Sequence, residues 1–346
     1  MRQTRKRKGS GKVTIADVAK KAGVGSMTVS RALRTPELVS EKLREKIQQV
    51  IEELGYIPNK AAGALASGES KMIAVILPSL TDKACSLFLP GFQKKLNQQG
   101  YQLLLGYCDY SPELEEKLLS TFMQSRPDAI ALFGSQHSET VHNLIASTET
   151  PVIEIAEFNN ASRYHCIGAN HFEIAKACTK HLLHRGCKNV GFIGARDHHS
   201  VLQNMLHGWQ SALIENYLAP DHFLTAPETA SFELGSDGLS KLLLRDPTLD
   251  ALVCSHEEIA LGVLFECQRK LIKVPQDLSI VCLNGSASCE HTYPRLSCAR
   301  INYSEMGKKA GEQILSLLGG TVSQNMAIDV GFKLYRGSST HKLEKN

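Results

Sequence analysis

The stretch "VTIADVAKKAGVGSMTVSRALR", residues 13 to 34, decides the fold of the N-terminal part of this 346-residue chain. Apolar residues recur at helical spacing on both sides of the "GVG" segment, which predicts two short helices joined by a tight turn. Thr14, with Asp17 three residues later, is expected to cap the first helix, and Gly23 is expected to end it. This arrangement is typical of a helix-turn-helix unit.

A third helix is expected after a cap at Ser40, because apolar residues repeat there at helical spacing. They are Leu43, Ile47, Val50, Ile51 and Leu54. In the second helix, Val29, Ala32 and Leu33 form the apolar stripe, and small polar groups with one arginine form the other face. That face consists of Ser26, Met27, Thr28, Ser30 and Arg31. Such groups can contact base edges and phosphates, which favours a DNA-binding unit over an ordinary helical bundle.

The charge of the chain is divided unevenly between its two parts. Residues 1–71 hold 15 lysines and arginines against 7 acidic residues, whereas the rest of the chain holds 24 against 28. A basic N-terminal part followed by a mildly acidic body indicates a polyanionic partner for the first part only. For the tail at residues 1–12 alone, a solubilising arm is an equally good interpretation.

These motifs resemble the DNA-binding region of the LacI/GalR transcription regulators, over "VTIADVAKKAGVGSMTVSRAL" and "VSEKLREKIQQVIEELGYIPNKAAGALAS". The resemblance implies a helix-turn-helix domain at residues 13–58 and a hinge helix with its linker at residues 59–71. It also implies that Ser26, Met27 and Arg31 face base edges in the major groove. The implied phosphate contacts are Thr14, Thr28, Ser30, Tyr56 and Asn59. Leu65 corresponds to the leucine that wedges into the minor groove at the dimer centre.

Beyond residue 71, near-continuous apolar runs alternate with helical patterns. The runs are "MIAVILP", "YQLLLGY", "DAIALFG", "PVIEI", "NVGFIGA", "DALVCS" and "LSIVCLN". Alternating strands and helices predict an α/β body with parallel sheets covered on both faces. There are enough strands for two doubly wound lobes, with a cleft at the carboxyl ends of the strands. We assign this body to residues 72–337 and a short tail to residues 338–346.

The resemblance to LacI/GalR regulators continues through the body, and several segments are most similar to the gluconate-repressor branch. It implies a periplasmic-binding-protein-like body that binds a small sugar or sugar acid between its lobes. Hydrogen-bonding groups at strand ends are the candidate effector contacts. They are Ser79, Thr81, Asp82, Glu154, Asn170, Arg196, Glu257 and Asn284.

Some of the family's usual sugar contacts are altered in this chain, which leaves the effector's identity open. The arginine that family members commonly carry three residues before the glycine of "HGWQSAL" is Met205 here. Glu257 stands where an aspartate is common, and Leu283-Asn284 replaces a common Tyr-Asp pair. A sugar acid carries a carboxylate, so its binding site requires a cationic side chain. Arg196 is the candidate, although a solvent-facing loop arginine is an equally good interpretation of it.

Composition excludes several classes of protein. Hydrophobic residues make up 42% of the chain, but no apolar run is long enough to span a membrane. The basic N-terminus has no apolar segment behind it, which argues against secretion. The ten cysteines are scattered singly, so we expect buried, reduced thiols and a cytoplasmic protein.

Enzymatic motifs are weak or incomplete. "GSGK" at residues 9–12 lacks the rest of a phosphate-binding loop, and neither a dinucleotide-binding nor an esterase signature occurs. His181, His184 and Cys187 have a spacing that could ligate zinc, but a surface histidine pair is favoured because no fourth ligand is evident. We therefore expect no catalytic residues, cofactor or metal. A solute-binding module and a sugar-metabolising enzyme on the same scaffold are the alternatives.

The predicted function is a sequence-specific transcriptional repressor controlled by a small carbohydrate effector such as gluconate or a related sugar acid. Its expected partners are a palindromic double-stranded operator, the effector and a second copy of the chain, since two-fold operators need two heads. The C-terminal "SSTHKLEKN" has no leucine heptads, which predicts a dimer without a helical tetramerisation tail.

Overall fold

The computed structural model describes residues 13–58, 69–196, 199–321 and 326–340. The chain divides into two compact units, Met1–Ser70 and Lys71–Asn346, which we call the head and the body. The predicted hinge helix at residues 59–66, including Asn59 and Leu65, lies outside the described residues.

The head consists of three helices. Helix α1 spans Ile15–Ala22, α2 spans Ser26–Arg34 and α3 spans Glu41–Leu54, with a short 3₁₀ turn at Pro36–Leu38 before α3. These positions confirm the helix-turn-helix prediction. The ends follow from the sequence, because Thr14 and Asp17 cap each other's backbone at the start of α1, and Gly23 ends it in the left-handed conformation at φ 70°.

Two details of the head differ from the predictions. Leu33 is 36% exposed, so the buried side of α2 is formed by Val29 and Ala32, which pack with residues such as Val18 and Ile47. Ser40 does precede α3, but its side chain makes no capping hydrogen bond. A serine at this position therefore predicted the helix boundary correctly and the interaction incorrectly.

The first lobe of the body contains a six-stranded parallel sheet. Its strands are β1 (Met72–Leu77), β2 (Gln102–Tyr107), β3 (Ala129–Phe133), β4 (Val152–Glu157), β5 (His165–Ala169) and β11 (Ala327–Asp329). Their order across the sheet is β11-β5-β4-β3-β1-β2. Its helices are α4 (Lys83–Asn97), α5 (Pro112–Met123), α6 (Glu139–Ala146) and α11 (Tyr303–Leu318).

The second lobe repeats this plan. Its strands are β6 (Val190–Ala195), β7 (Phe223–Ala226), β8 (Ala251–Cys254), β9 (Ser279–Cys282), β10 (Ser297–Arg300) and β12 (Lys333–Tyr335). They lie in the order β12-β10-β9-β8-β6-β7. Its helices are α7 (His171–His184), α8 (Ser200–Ile214), α9 (Phe232–Arg245) and α10 (Glu257–Arg269), with a 3₁₀ turn at Ala287–His291.

The chain crosses between the lobes after β5, after β10 and between β11 and β12. Two doubly wound lobes were predicted and are confirmed, with one difference. Strand β12 runs antiparallel to β10, because the chain reaches it directly from the first lobe without the crossover helix that sets a parallel direction. Strands β5, β7, β10, β11 and β12 were not predicted, since runs such as "HCIGA" and "SCAR" are short and partly polar.

Glycines bring the covering helices unusually close to each other. A Cβ atom at Gly91 of α4 would lie 2.1 Å from the carbonyl oxygen of Ser304 on α11. In the second lobe, a Cβ atom at Gly208 of α8 would lie 2.2 Å from the carbonyl oxygen of Phe172 on α7. Neither position has room for a side chain, so each helix pair depends on its glycine for backbone contact.

The histidine pair noted in the sequence is a structural feature of the second lobe. His181 is buried, not on the surface, and its Nε2 lies 3.1 Å from Oγ1 of Thr340. Ser339 is fully buried and pairs with the backbone of Ile280 and Arg295. The body therefore extends at least to Thr340, into the segment that the sequence assigned to the tail.

All ten cysteines are buried, as their scattered spacing predicted. Within the described residues, no three His, Cys, Asp or Glu side chains are grouped so that they could hold a metal ion. Across the same residues, no helix combines the length and the apolar character needed to cross a membrane.

Candidate functional site

A cavity of about 440 Å³ lies between the two lobes. Its polar lining residues follow successive strands at their carboxyl ends, where open α/β sheets bind ligands. Asp82 follows β1, Tyr110 follows β2 and Ser135 follows β3 in the first lobe. In the second lobe, the residues that follow β6, β8 and β9 are Arg196, His256 and Asn284. The topology therefore collects polar groups from both sheets around one volume.

A single arginine provides the strongest charge in this cavity. The guanidinium carbon of Arg196 lies 3.9 Å from the centre of the Tyr110 ring, and its Nη1 lies 3.7 Å from Oδ2 of Asp82. Tyr110 in turn donates a hydrogen bond to Asp82 at 2.9 Å. Nε of Arg196 is buried and has no hydrogen-bond partner among the described residues. Arg196 thus keeps donor capacity for an anionic ligand.

The two lobes present opposite charges to the cavity. Among the described residues, the acidic ones that line the cavity, Asp82 and Glu115, both belong to the first lobe. The basic lining residues belong to the second lobe, and they are Arg196, His171, His199 and His256. The cavity is therefore polarised across its width, with acceptors on one wall and donors on the other.

Two histidines of the basic wall, His256 and His171, are held mainly in the neutral form. Burial, together with the charge of Arg196, lowers the pKa of His256 to about 4, and its Nδ1 lies 2.8 Å from the hydroxyl of Ser255. Burial also lowers the pKa of His171, against the opposing effect of the Glu157 charge. At neutral pH these two imidazoles thus add little to the positive charge of Arg196.

Strained backbone also marks the cavity. Tyr110, Ala156 and Arg196 have φ angles of 58°, 82° and 57°, in the left-handed region that non-glycine residues rarely adopt. All three line the cavity. Such conformations persist only where surrounding contacts hold them, and they cluster at ligand-binding sites.

A buried carboxylate joins the lobes beside the cavity. Glu157, at the end of β4, is 3% exposed and accepts hydrogen bonds from Ser135 at 2.6 Å, Ser200 at 2.7 Å and Asn204 at 2.8 Å. Ser135 belongs to the first lobe, whereas Ser200 and Asn204 lie on α8 of the second. Lys83 of α4 bridges the lobes similarly, with contacts of 3.3 Å to Glu257 and 3.1 Å to Glu258.

In the head, α2 presents the polar face that the sequence predicted. Ser26, Met27 and Arg31 are exposed, with Met27 at 70%, whereas Thr28 and Ser30 are half-buried. The helix begins after Gly25 without a side-chain cap and without an acidic residue in its first turn. Its N-terminal N–H groups and positive dipole end therefore suit a phosphate.

The comparisons with known proteins agree with both parts. Residues 14–59 match the bacterial regulatory proteins of the lacI family, and residues 179–340 match the periplasmic binding protein-like domain. The HTH-type transcriptional regulator GntR of Pseudomonas aeruginosa is 32% identical over 333 residues, which cover 96% of each chain. The chain belongs to the LacI family. It is a DNA-binding transcriptional regulator and not an enzyme, as predicted, and the GntR relative agrees with the predicted branch.

Two solved structures are similar to this LacI-family protein. A PurR family transcriptional regulator from Vibrio parahaemolyticus is 57% identical, with a TM-score of 0.75 over 78% of this chain and 99% of that chain. A LacI family transcriptional regulator from Silicibacter pomeroyi is 28% identical, with a TM-score of 0.86 over 95% of this chain and 100% of that chain. The second similarity spans nearly the whole chain and confirms the fold of both parts.

The structure brings three of the eight candidate effector contacts to the cavity wall, namely Asp82, Arg196 and Asn284. Asn284 accepts a hydrogen bond from Tyr303 at 3.0 Å, which adds another contact between the lobes. Met205, which stands in place of the common family arginine, also lines the cavity and is 1% exposed. The arginine of this cavity, Arg196, therefore lies in the loop after β6, whereas the family arginine would lie on α8.

The other candidates lie near the cavity without lining it. Ser79 and Thr81 pair with each other at 3.0 Å, and Asn170 caps α7 by accepting from the backbone of Glu173. Glu154 is buried and accepts from Ser162 at 2.6 Å.

Glu257 faces the loop after β9 instead of the cavity. It accepts hydrogen bonds from the hydroxyl of Ser288 and the backbone of Ser286. Burial alone would raise the pKa of Glu257, but these bonds and the Lys83 charge outweigh it, so the pKa is lowered. Its carboxylate is thus stabilised by protein groups.

Of the head candidates, Thr14 is exposed, but its hydroxyl donates to Asp17 at 2.6 Å as part of the α1 cap. Tyr56 is half-buried against the head core.

Several lining residues were absent from the candidate list. Tyr110 and His256 follow predicted strands within three residues, so a polar residue just beyond a strand end is a usable signal. Glu115 and Met205 lie within helices, and only the packing of α5 and α8 brings them to the cavity. Only the family resemblance pointed to the position of Met205, and no pattern in the sequence distinguishes Glu115 from other helical residues.

Proposed function

We propose that this LacI-family regulator is a sequence-specific repressor whose operator affinity is controlled by a small carbohydrate, such as gluconate or a related sugar acid. The observation that carries the proposal is Arg196, whose buried Nε at the wall of the cavity has no hydrogen-bond partner among the described residues. A carboxylate of the effector would occupy that donor, while its hydroxyl groups bind to Asp82 and Asn284.

The effector can act on DNA binding only through different affinities for two states of the protein. The contacts that join the lobes, at Glu157, Lys83 and Asn284, all lie around the cavity. A ligand that bridges the walls would favour the closed arrangement of the lobes. The coupling is reciprocal, so the operator must change effector affinity by the same factor.

For the head, we propose that Ser26, Met27 and Arg31 contact base edges and that Thr28 and Ser30 position α2 on phosphates. Thr14, Tyr56 and Asn59 would supply further phosphate contacts, and Leu65 the wedge in the minor groove. A palindromic operator requires two heads, so the functional unit is a homodimer. As a regulator of transcription, it acts in the cytoplasm, where the DNA is. A solute-binding module is the second candidate, and the exposed polar face of α2 is unexplained by it.

A gel-shift titration at about 0.15 M salt tests the DNA function, since non-specific binding weakens strongly with salt. The protein should bind a palindromic duplex selected from random sequence far better than a scrambled duplex. Arg31→Ala should weaken specific binding by roughly 1–3 kcal/mol, because a bidentate contact to a base edge contributes about that much. Loss of non-specific binding alone would contradict a base contact by Arg31.

Calorimetric titration of the full chain with gluconate tests the effector function. Binding should change the operator affinity in the gel shift, and glucose, which lacks the carboxylate, should bind much more weakly. If no sugar acid binds at millimolar concentration, the proposed effector class is wrong.

A further inference from the structure

A buried carboxylate on the acidic wall is not used by the proposed anion site. Glu115 of α5 lines the cavity and is 7% exposed. Its two oxygens lie 2.9 and 3.1 Å from Nδ1 of His137, which follows β3. The His137 side chain is only 1% exposed, so this pair is shielded from water on the side away from the cavity.

A second carboxylate lies behind the histidine. Oε1 of Glu154 is 3.8 Å from Nε2 of His137, a nitrogen that has no hydrogen-bond partner among the described residues. The other oxygen of Glu154 accepts the hydroxyl of Ser162 at 2.6 Å. The three groups form a row that runs from the cavity wall into the first lobe, in the order Glu115, His137, Glu154.

The charges of this row favour the imidazolium form of His137. Burial would lower the pKa of His137, but the hydrogen bond and charge of Glu115 and the charge of Glu154 outweigh it and raise the pKa. Burial raises the pKa of Glu154, so the charge of His137 is matched chiefly by Glu115. Asp82, which contacts Arg196, adds a further acid to the same wall. Among the described residues of the second lobe, those that line the cavity include no carboxylate.

We propose that Glu115 selects effectors with a single negative charge, by accepting hydrogen bonds from ligand hydroxyl groups and repelling a second acidic group. The inference rests on the proposed function, which places the single carboxylate of the ligand at Arg196. The preferred class is then a polyhydroxy monocarboxylate. A sugar diacid or a phosphorylated sugar acid would bring its second anion to the wall of Glu115 and Asp82, whose cationic partners His137 and Arg196 are already engaged. An unpaired buried charge is strongly disfavoured.

His137 is a positioning residue in this arrangement. It fixes both oxygens of Glu115 and partly offsets their charge, while Glu115 and, to a smaller extent, Glu154 raise the pKa of His137. This makes two opposite predictions for selectivity. Loss of the Glu115 charge should admit dianions, whereas loss of the His137 charge should exclude them more strongly, because the wall becomes more negative.

The test is calorimetric titration of the full chain at pH 7.5 with three probes, D-gluconate, D-glucarate and 6-phosphogluconate. The wild type should bind gluconate about 100-fold more tightly than either dianion. Glu115→Gln should reduce that ratio by about tenfold or more, and His137→Gln should increase it. Glu116→Gln is the matched control, because Glu116 is the next residue of α5, accepts from Ser138 and does not line the cavity. Its ratio should equal that of the wild type.

Equal binding of monoanion and dianions by the wild type would overturn the inference without any variant, so it remains testable if Glu115→Gln fails to fold. An unchanged ratio in folded Glu115→Gln would also overturn it, as would shifts of both variants in the same direction, which indicate a merely structural role. In these cases gluconate still binds and the proposed function stands. Failure of all three probes to bind the wild type would instead refute the proposed effector class and the inference with it.

Discussion

The two lobes of the body share a strand order but differ in what they present to the cavity. In each, five parallel strands lie in the same order and a late strand, β11 or β12, completes the edge. The first lobe contributes the carboxylates of Asp82 and Glu115, and the second contributes Arg196 and the imidazoles. The two lobes therefore share a fold but carry opposite charges beside the cavity, most directly at Asp82 after β1 and Arg196 after β6.

This difference teaches how a two-lobed site orients a ligand. If both walls of the cavity carried the same charge, a polyhydroxy acid would bind about equally well with its carboxylate at either wall. With donors on one side and acceptors on the other, the carboxylate and the hydroxyl groups have different preferred walls. The experiments below test that difference, beginning with the charge that dominates it.

Arg196→Met should have the largest effect, because it removes the main charge of the basic wall. We expect gluconate affinity to fall about 100-fold, which matches the loss of charge-assisted hydrogen bonds in a desolvated site. Arg196→Lys keeps the charge but not the planar fork, so its loss should be smaller, about tenfold. Calorimetric titration measures both.

The control is Arg269→Met, an exposed arginine of the same lobe that pairs with Glu266 on the surface of α10. Exposed ion pairs contribute little, so its gluconate affinity should not change. If Arg196→Met binds gluconate as well as the wild type does, the second lobe does not bind the anion and the polarity of the cavity has no functional meaning.

Glu157→Gln should have the next largest effect, because it weakens the contact between the two walls. Its carboxylate accepts three hydrogen bonds, two of them from α8 across the lobe boundary. Hydrogen bonds to a charged group contribute up to about 3 kcal/mol, so we expect the free energy of unfolding in urea to fall by about 2 kcal/mol.

In small-angle scattering, the Glu157→Gln variant should also have a larger radius of gyration than the wild type without ligand. The same substitution at the exposed Glu173 of α7 should change neither quantity. A Glu157 variant with the stability and dimensions of the wild type would show that other contacts hold the lobes together.

The smallest effect concerns pH, where the histidines of the two walls should respond in opposite directions. The pKa of His256 is lowered to about 4 by burial and by Arg196, with Asp82, Glu258 and His171 also facing it. The unfolded state therefore binds the extra proton, and stability falls as the pH drops from about 6.5 towards 4. The His256→Asn variant should lose about 1 kcal/mol of this acid sensitivity at pH 5.5.

For His137 the sign is reversed. Its pKa is raised by Glu115 and Glu154 against the effect of burial, so its contribution to stability is complete below about pH 6.5 and is lost as the pH rises through the raised value. His137→Gln should therefore destabilise the protein more at pH 6 than at pH 8.5. Urea titrations of both variants at these pH values measure the free energy of unfolding. If the two walls were electrostatically alike, both substitutions would change its pH dependence in the same direction.

Sequence reasoning was most successful where structure depends on neighbouring residues. The cap at Thr14 and the turn at Gly23 set the bounds of α1, and the apolar runs located seven of the strands. It was less successful at two positions. Leu33 has the helical spacing of a buried residue but is exposed, and Ser40 precedes α3 but makes no capping hydrogen bond. Short, partly polar strands such as β10 are recognisable only once their neighbours in the sheet are known.

The sequence by itself determined the family, the helix-turn-helix head, the alternation of strands and helices, and a set of polar residues at strand ends. It could do so because caps, turns and periodicity act over a few residues. The tertiary structure decided which polar groups meet. Glu115 and His137 are 22 residues apart in the sequence. Asp82 and Arg196 lie further apart, because strands β2 to β6 come between them in the sequence. Such pairs form only when sheets assemble and lobes approach, since the contacts between them are non-local.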